Sequence, residues 1–213
     1  AAGSTHVLLD MPVGPTAKVR NAAMADKLVS YLKQTGDRLG LGVTVHVSDG
    51  TQPVGRGIGP ALEARDLVAV LKNDPNAPQD LRDRSLALAG KILEFSPDVP
   101  SNAGLTIAQG ILDSGKAWKK FQSICAAQGG MRDIPKAAHT YPVVAETAGI
   151  VLTIDNRHIA RVAKLAGAPA DKVAGVDLHT PVGTRVEKGE PLFTIHAAAP
   201  GQLDYALTYL KEQ

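Results

Sequence analysis

The sequence is short of cysteine, aromatic residues and net charge, and each shortage excludes a class of protein. Its one cysteine, Cys125, cannot form an internal disulfide, which fits a reducing cytoplasm. A net charge of +2 provides no basic stripe for binding nucleic acid. No apolar segment is long enough to span a bilayer. We therefore expect a cytoplasmic globular protein that binds neither nucleic acid nor a membrane, with aliphatic side chains filling its core because only 4% of the 213 residues are aromatic.

The usual signatures of a metal site or a nucleophilic active site are also missing. None of the six histidines stands at ligand spacing from a Cys, Asp or Glu, so we expect no metal site. The sequence contains neither G-x-S-x-G nor HExxH. The residues from Ala1 to Ser4 include neither a start methionine nor a signal peptide, so we expect the chain to begin inside a longer protein or at a cut site.

The segment from Asp10 to Arg20 carries the strongest functional signal. An apolar run from His6 to Leu9 predicts a strand that ends in Asp10, and a Pro/Gly turn follows before Lys18. Open α/β sheets bind anionic ligands at the carboxyl ends of their strands, near a helix N-terminus. Lys18 is therefore a candidate anion ligand, although a lone lysine at this place is more often a solvated cation.

The first two thirds of the sequence predict an α/β unit followed by helices. Apolar residues at helical spacing indicate a helix over 22–39, and Val43 to Val47 is a β-branched strand. A strand, a helix and a strand in this order suggest a crossover into a parallel sheet. Further helices are expected over 60–71, 80–95, 105–112 and 116–127.

From residue 136 the pattern changes to short strands with Gly/Pro turns. Strands are predicted over 139–145, 150–154, 173–178 and 192–195, with a helix capped by Asp155 or Asn156 and a last helix over 202–210. The fold class is therefore α/β plus α+β, divided into 1–135 and 136–213. The stretch from Asp177 to Leu192 resembles half of a biotinyl/lipoyl-type barrel, without the hairpin that carries the modified lysine.

Several other features have ordinary structural explanations. The glycines of 55–59 have the wrong spacing for a dinucleotide fingerprint, so we expect them to permit positive φ and close packing, or to border a cleft. Trp118, Phe121 and Cys125 stand at helical positions that predict core packing. Glu63 and Arg65 are expected to form a solvated helix face.

Four segments together resemble the C-terminal part of the thymidine/pyrimidine-nucleoside phosphorylase family. They are Asp10–Arg20, Ser48–Arg65, Ile111–Ala117 and Gly183–Leu192, of which the second is the most specific. The likeness is greatest to the branch of AMP phosphorylases and bacterial type 2 thymidine phosphorylases. It implies that the segment 136–213 is a hammerhead-like α+β domain related to the barrel-sandwich folds.

The resemblance also implies an activity. Members of the family catalyse reversible phosphorolysis, a pentosyl transfer in which orthophosphate is the co-substrate and no metal or organic cofactor takes part. Thymidine and phosphate would give thymine and 2-deoxyribose 1-phosphate; the alternative substrate is AMP or another nucleoside 5′-monophosphate. The family forms homodimers. Its phosphate loop and base-reading residues precede the matched region, so we assign no catalytic residue here and expect the 213 residues alone to be inactive.

The one residue carried over from the resemblance is Lys18, the lysine of the motif G-x-x-A-K-[VI]-[KR], which contacts the nucleotide in AMP phosphorylases. Thr16, Asp10 and Asp49 are further candidates for binding substrate or phosphate, although short polar residues at strand ends are often only turn formers. The competing hypothesis, of another class, is a noncatalytic binding or scaffold module built on the biotinyl-like half barrel.

Overall fold

The computed structural model describes residues 3–212 and shows a mixed α/β chain with several sheets. Ala1 and Ala2, on which the expected internal start partly rests, lie outside the described residues. In chain order the elements are β1 (His6–Val13), α1 (Ala22–Arg38), β2 (Gly42–Asp49), β3 (Gly57–Ile58), α2 (Pro60–Leu71), α3 (Gln79–Leu93), α4 (Gly104–Asp113), α5 (Lys116–Ala127), β4 (His139–Val144), β5 (Gly149–Ile150), α6 (Asn156–Leu165), β6 (Gly175–Leu178), β7 (Arg185–Val186), β8 (Pro191–Ala197) and α7 (Pro200–Lys211).

The chain forms two compact units that are not continuous in sequence. Unit 1 comprises residues up to Thr51 together with Arg82–Ser114, and unit 2 comprises Gln52–Leu81 together with the residues from Gly115 onward. The division falls within α3. The domain boundary predicted between residues 135 and 136 stays a prediction.

Unit 1 contains the parallel strand pair that the sequence predicted. β1 and β2 run parallel, with His6 opposite Gly42 and Val13 opposite Asp49. The intervening helix α1 begins at the side chain of Asn21, whose oxygen accepts a hydrogen bond from the backbone N–H of Met24 at 2.9 Å. β1 continues to Val13, so Asp10 lies within the strand rather than at its end, which corrects the predicted boundary.

Unit 2 is built on an antiparallel sheet with the strand order β3-β6-β8-β4, beside a small pair of β5 and β7. One face of the larger sheet packs against α6 and α7. The residues buried in this core are Ile159, Val162, Ala163, Ala166, Val176, Leu178, Ile195, Ala197 and Ala206. Because side chains alternate across a strand, the opposite face presents Asp177 and His196. The α+β assignment is confirmed, and the finer hammerhead-like description stays a prediction.

Several local predictions for unit 2 are corrected. Only Gly149 and Ile150 form a strand where 150–154 was expected, because the partner strand β7 offers two residues for pairing. Gly57 and Ile58, expected in a loop, form a strand against β6. On α5, which has no buried residue, Trp118 and Phe121 stack at 5.9 Å without entering a core, and Cys125 is half-buried.

Arg65 was predicted on a solvated helix face, and its side chain is 41% exposed, but it is also paired within the fold. From α2 it donates two hydrogen bonds to the carboxylate of Asp177 on β6, at 2.7 and 2.8 Å. Its neighbour Glu63 is exposed, but its carboxylate accepts a hydrogen bond from the backbone N–H of Gly59 at 2.9 Å. Arg65 therefore joins α2 to the sheet, whereas Glu63 caps the start of its own helix.

Gly59 is required where β3 passes into α2. Its φ is +126°, and a Cβ atom there would lie 2.3 Å from the carbonyl oxygen of Ala174. The predicted roles of this glycine, positive φ and close packing, are therefore confirmed. We expect Gly59→Ala to destabilise the protein by about 2–3 kcal/mol in urea unfolding, because both the backbone and the packing are strained.

The matched control is Gly201→Ala in the first turn of α7, where an added Cβ meets no atom within 4 Å. We expect its free energy of unfolding to change by less than about 0.5 kcal/mol. An equal loss of stability in the two variants would contradict the role given to Gly59.

Candidate functional site

The loop that carries Lys18 is held in a closed conformation by its own backbone. The N–H of Gly14 donates to the carbonyl of Val19 at 3.1 Å, and the N–H of Ala17 donates to the carbonyl of Gly14 at 3.0 Å. Val13 and Val19 form an isolated parallel bridge across the base of the loop. The loop is therefore a compact turn at the carboxyl end of β1, between the strand and α1.

A close backbone approach fixes this loop against the end of β2. A Cβ atom on Gly14 would lie 2.4 Å from the carbonyl carbon and oxygen of Gly50, so only glycine fits there. The N–H of Gly50 also donates to the carbonyl of Val13 at 2.9 Å. The carboxyl ends of the two parallel strands are thus joined, which is the edge where open α/β sheets bind anionic ligands.

Lys18 lies exposed on this loop. Within residues 3–212 its ammonium group has no hydrogen bond or ion pair. Thr16 lies in the same loop, half-buried, and is engaged in an interaction of its own. The structure therefore places Lys18 and Thr16 together and presents the lysine to solvent, where it can meet an anion.

Asp10, by contrast, belongs to an internal hydrogen-bond network. Its carboxylate accepts a hydrogen bond from the hydroxyl of Ser48 on β2 at 2.7 Å. It also accepts from Arg84 of α3, whose Nε lies 2.9 Å away. Arg84 extends the network by donating from Nη1 to the main-chain carbonyl of Asp49 at 3.2 Å. Asp10 is thus held in place rather than left open to a ligand.

The charge of Asp10 depends on this network. Partial burial by itself would raise the pKa of the Asp10 carboxyl, but the hydrogen bonds from Ser48 and Arg84 and the positive charge of Arg84 outweigh it. The pKa therefore lies below its usual value. At neutral pH Asp10 is an anion that neutralises Arg84 and holds α3 to the strand pair.

The side chain of Asp49 is engaged in a turn. Its carboxylate accepts hydrogen bonds from the backbone N–H and the hydroxyl of Thr51, at 2.9 and 3.0 Å. This is the turn-forming role that short polar residues often take after a strand. Of the four predicted binding residues, only Lys18 therefore presents an unpaired charged group, and the assignment of all four to substrate stays a prediction.

Sequence reasoning missed Arg84 and Ser48. Arg84 is separated from Asp10 by 74 positions, and nothing in its local pattern distinguishes it from the other charges at the start of α3. Ser48 could have been found, because parallel pairing places it opposite Pro12, next to Asp10 on the same face of the sheet.

A second cluster of titratable groups lies in unit 2. Burial by itself would raise the pKa of the Asp177 carboxyl, but the hydrogen bonds and charge of Arg65 outweigh it and lower the pKa. Burial lowers the pKa of His196, which keeps this histidine neutral at pH 7. Since both oxygens of Asp177 accept from Arg65, this cluster fixes α2 to the sheet. Among residues 3–212, no three His, Cys, Asp or Glu side chains are grouped as metal ligands would be.

Comparisons with known proteins cover the whole chain. Residues 150–213 match the sequence profile of the pyrimidine nucleoside phosphorylase C-terminal domain. The full 213 residues are 60% identical to a "Putative thymidine phosphorylase" of Polaromonas sp. (strain JS666) and 59% identical to one of Legionella pneumophila (strain Paris). The chain spans 42% and 41% of the lengths of these two relatives. Within the described residues no helix is long and apolar enough to cross a membrane.

The network around Asp10 predicts a pH-dependent contribution to stability. We expect Arg84→Gln to lower the free energy of unfolding at pH 7 by about 1–2 kcal/mol, because Asp10 would keep its charge without its main partner. A carboxyl with a lowered folded-state pKa stabilises the fold above its unfolded pKa and loses that contribution as pH falls through the folded pKa. The difference between wild type and variant should therefore shrink as pH falls below the usual value of 3.8.

Urea unfolding at pH 7 and near pH 3 measures both quantities. Arg38→Gln, at the exposed end of α1, is the matched control and should change stability by less than about 0.5 kcal/mol at either pH. A loss in Arg84→Gln that is equally large at both pH values would contradict the role of the Asp10 charge.

Proposed function

We propose that this chain, which belongs to the pyrimidine nucleoside phosphorylase family, is part of an enzyme that cleaves a nucleoside with orthophosphate. An oxygen of phosphate would form a bond to the anomeric carbon of the sugar, and the bond from that carbon to the base nitrogen would break. The electron pair would stay with the base, which takes up a proton, and the other product would be a pentose 1-phosphate. No metal or organic cofactor enters this scheme.

The observation that carries the proposal is the ammonium group of Lys18, which lies on a fixed loop and has no partner in the described part of the chain. The reaction brings together a phosphate dianion and a sugar that develops positive charge, so the site must hold the anion close and oriented. A lysine supplies a point charge with three donors for this task. The hydrogen bonds within the loop and the contact between Gly14 and Gly50 position the start of its side chain.

What Lys18 would contact differs between the two candidate substrates. We propose a pyrimidine nucleoside, thymidine, as the substrate, in line with the names of the two relatives. AMP or another nucleoside 5′-monophosphate is the alternative, and in that case Lys18 would bind the 5′-phosphate. The two differ in one charged group, so a lysine that recognises that group affects one substrate and not the other.

A phosphorolysis assay with Lys18→Ala distinguishes the two substrates. It would use the longest natural protein that contains this chain, with phosphate and either thymidine, uridine, AMP or CMP. If the substrate is a 5′-monophosphate, the variant should lose about tenfold to a hundredfold in kcat/KM, because a charge-assisted hydrogen bond is lost. If it is thymidine, the wild-type protein should release thymine, and Lys18→Ala should lower kcat/KM for thymidine by a similar factor, because the contact between Lys18 and orthophosphate is lost.

Lys33→Ala is the matched control, since Lys33 is an exposed lysine on α1. It should leave kcat/KM unchanged for every substrate. Release of free base from none of the four by the wild-type protein would contradict the proposed activity and favour the noncatalytic scaffold. An equal loss in Lys18→Ala and Lys33→Ala would contradict a specific role for Lys18.

The 213 residues by themselves should not turn over nucleoside. Parallel sheets are normally covered on both faces, yet β2 has no fully buried residue, and the apolar side chains of Met24 and Tyr31 on α1 are about half exposed, at 47% and 55%. We therefore expect no free base from any of the four substrates with this chain alone. Turnover comparable to that of the longest natural protein would contradict this. Homodimer formation and a cytoplasmic location remain predictions.

A further inference from the structure

Unit 2 contains a cleft that shares no residue with the Lys18 loop. It has a volume of about 520 Å³ and lies between the loop that starts at Gln52, the turn before α3 and the segment after β6. Most of its wall is apolar, formed by side chains that include Pro53, Pro78, Ile154 and Pro181. Ligand sites in proteins are commonly clefts of this size with apolar walls and a few polar groups.

Hydrogen bonds hold the cleft open in one shape. The side-chain oxygen of Gln52 accepts from the backbone N–H of Val182 at 2.7 Å and so joins two of the walls. The carboxylate of Asp80 accepts from the backbone N–H of Gly55 at 2.9 Å. The backbone N–H of Arg56 donates to the buried carboxylate of Asp66 at 2.7 Å. A ligand would therefore meet a preformed site, which reduces the entropy lost on binding.

Side chains at the cleft have N–H groups that no acceptor within residues 3–212 uses, and the cleft also contains the carboxylate of Asp80. The guanidinium group of Arg56 donates to the carbonyl of Asn76 and, within residues 3–212, has no carboxylate partner. The side-chain NH₂ of Gln52 and the side-chain amide of Asn76 also have no partner in this part of the chain. An arginine with free N–H groups is suited to a carboxylate or phosphate, and the amides are suited to the edge of a ring that carries carbonyl or N–H groups.

We propose that this cleft binds a small flat molecule that carries an oxyanion. The ring lies between the proline-rich walls, its polar edge meets the side-chain amides of Gln52 and Asn76, and the oxyanion lies against Arg56. A nucleotide and an aromatic carboxylic acid share this chemistry. The cleft and the Lys18 loop have no residue in common, so each of the two proposals can fail without the other.

Binding can be tested by NMR titration of the ¹⁵N-labelled chain with uridine 5′-monophosphate, benzoate and inorganic phosphate. The first or the second should shift the side-chain amide signals of Gln52 and Asn76, and phosphate alone should bind at least about tenfold more weakly because it has no ring. Tighter binding of uridine 5′-monophosphate would identify a nucleotide as the ligand, and tighter binding of benzoate would identify an aromatic carboxylic acid. No shift with either compound, or binding of phosphate as tight as theirs, would overturn the proposal.

Two variants test whether the ligand binds in this cleft. Arg56→Gln should weaken binding by about tenfold or more, because the charge-assisted contact to the oxyanion is lost. Val182→Phe should weaken it by narrowing the cleft while Arg56 stays in place. Arg132→Gln, at an exposed arginine of the same unit, is the matched control and should bind as wild type does. Equal affinity in Arg56→Gln and Arg132→Gln would overturn the assignment, and unchanged thermal melting would show that the variants are folded.

Discussion

The buried carboxylate of Asp66 is the interaction on which the arrangement of unit 2 depends. Only 3% of this residue is exposed, and its Oδ2 accepts hydrogen bonds from the backbone N–H groups of Arg56 and Gly57, both at 2.7 Å. A charge so deeply buried is tolerated only when donors surround it. Because these donors belong to the segment that enters β3, Asp66 sets the path of that strand against β6 and the position of Arg56 at the cleft. Arg65 completes the arrangement, since it donates to Asp66 and to Asp177 and so joins α2 to the sheet.

Unit 1 also depends on a carboxylate that accepts several hydrogen bonds, although this carboxylate is less deeply buried than that of Asp66. Asp10 is 27% exposed at its side chain, and Arg84 and Ser48 supply its donors. The result is again a carboxylate that holds neighbouring segments in place, from strand β1 in unit 1 and from helix α2 in unit 2. The main-chain carbonyl of Asp49 also accepts from Arg84, so one guanidinium group contacts both strands of the parallel pair near the Lys18 loop. The fold of each unit thus also depends on an ion pair between residues that are far apart in the sequence, which is Asp10 with Arg84 in unit 1 and Arg65 with Asp177 in unit 2.

This dependence explains which parts of the structure could be predicted. Local patterns were sufficient for α1, for α2 with Pro60 in its first turn, and for the cap of α6, where Asp155 accepts from Arg157 and His158. These features depend on residues within one or two helical turns. The pairing of Arg65 with Asp177 joins positions 112 residues apart, and neither residue shows locally that it has such a partner. The segment from Val151 to Ile154 has the composition of a strand, but strand formation also requires a neighbouring strand, which sequence composition does not reveal.

Cations that stabilise the fold differ from candidate binding residues in whether they have a carboxylate partner. Arg65, Arg82 and Arg84 each meet a carboxylate at 2.5–2.7 Å within their own unit, so their charge is already neutralised and serves the fold. Lys18 and Arg56 differ, because each lies on a loop fixed by backbone hydrogen bonds and neither has a carboxylate partner within residues 3–212. A charge without a carboxylate partner contributes little to folding, since water solvates it equally well in the unfolded chain. A charge of this kind on a fixed loop is suited to an anion from outside, which is why the two proposals rest on these two residues.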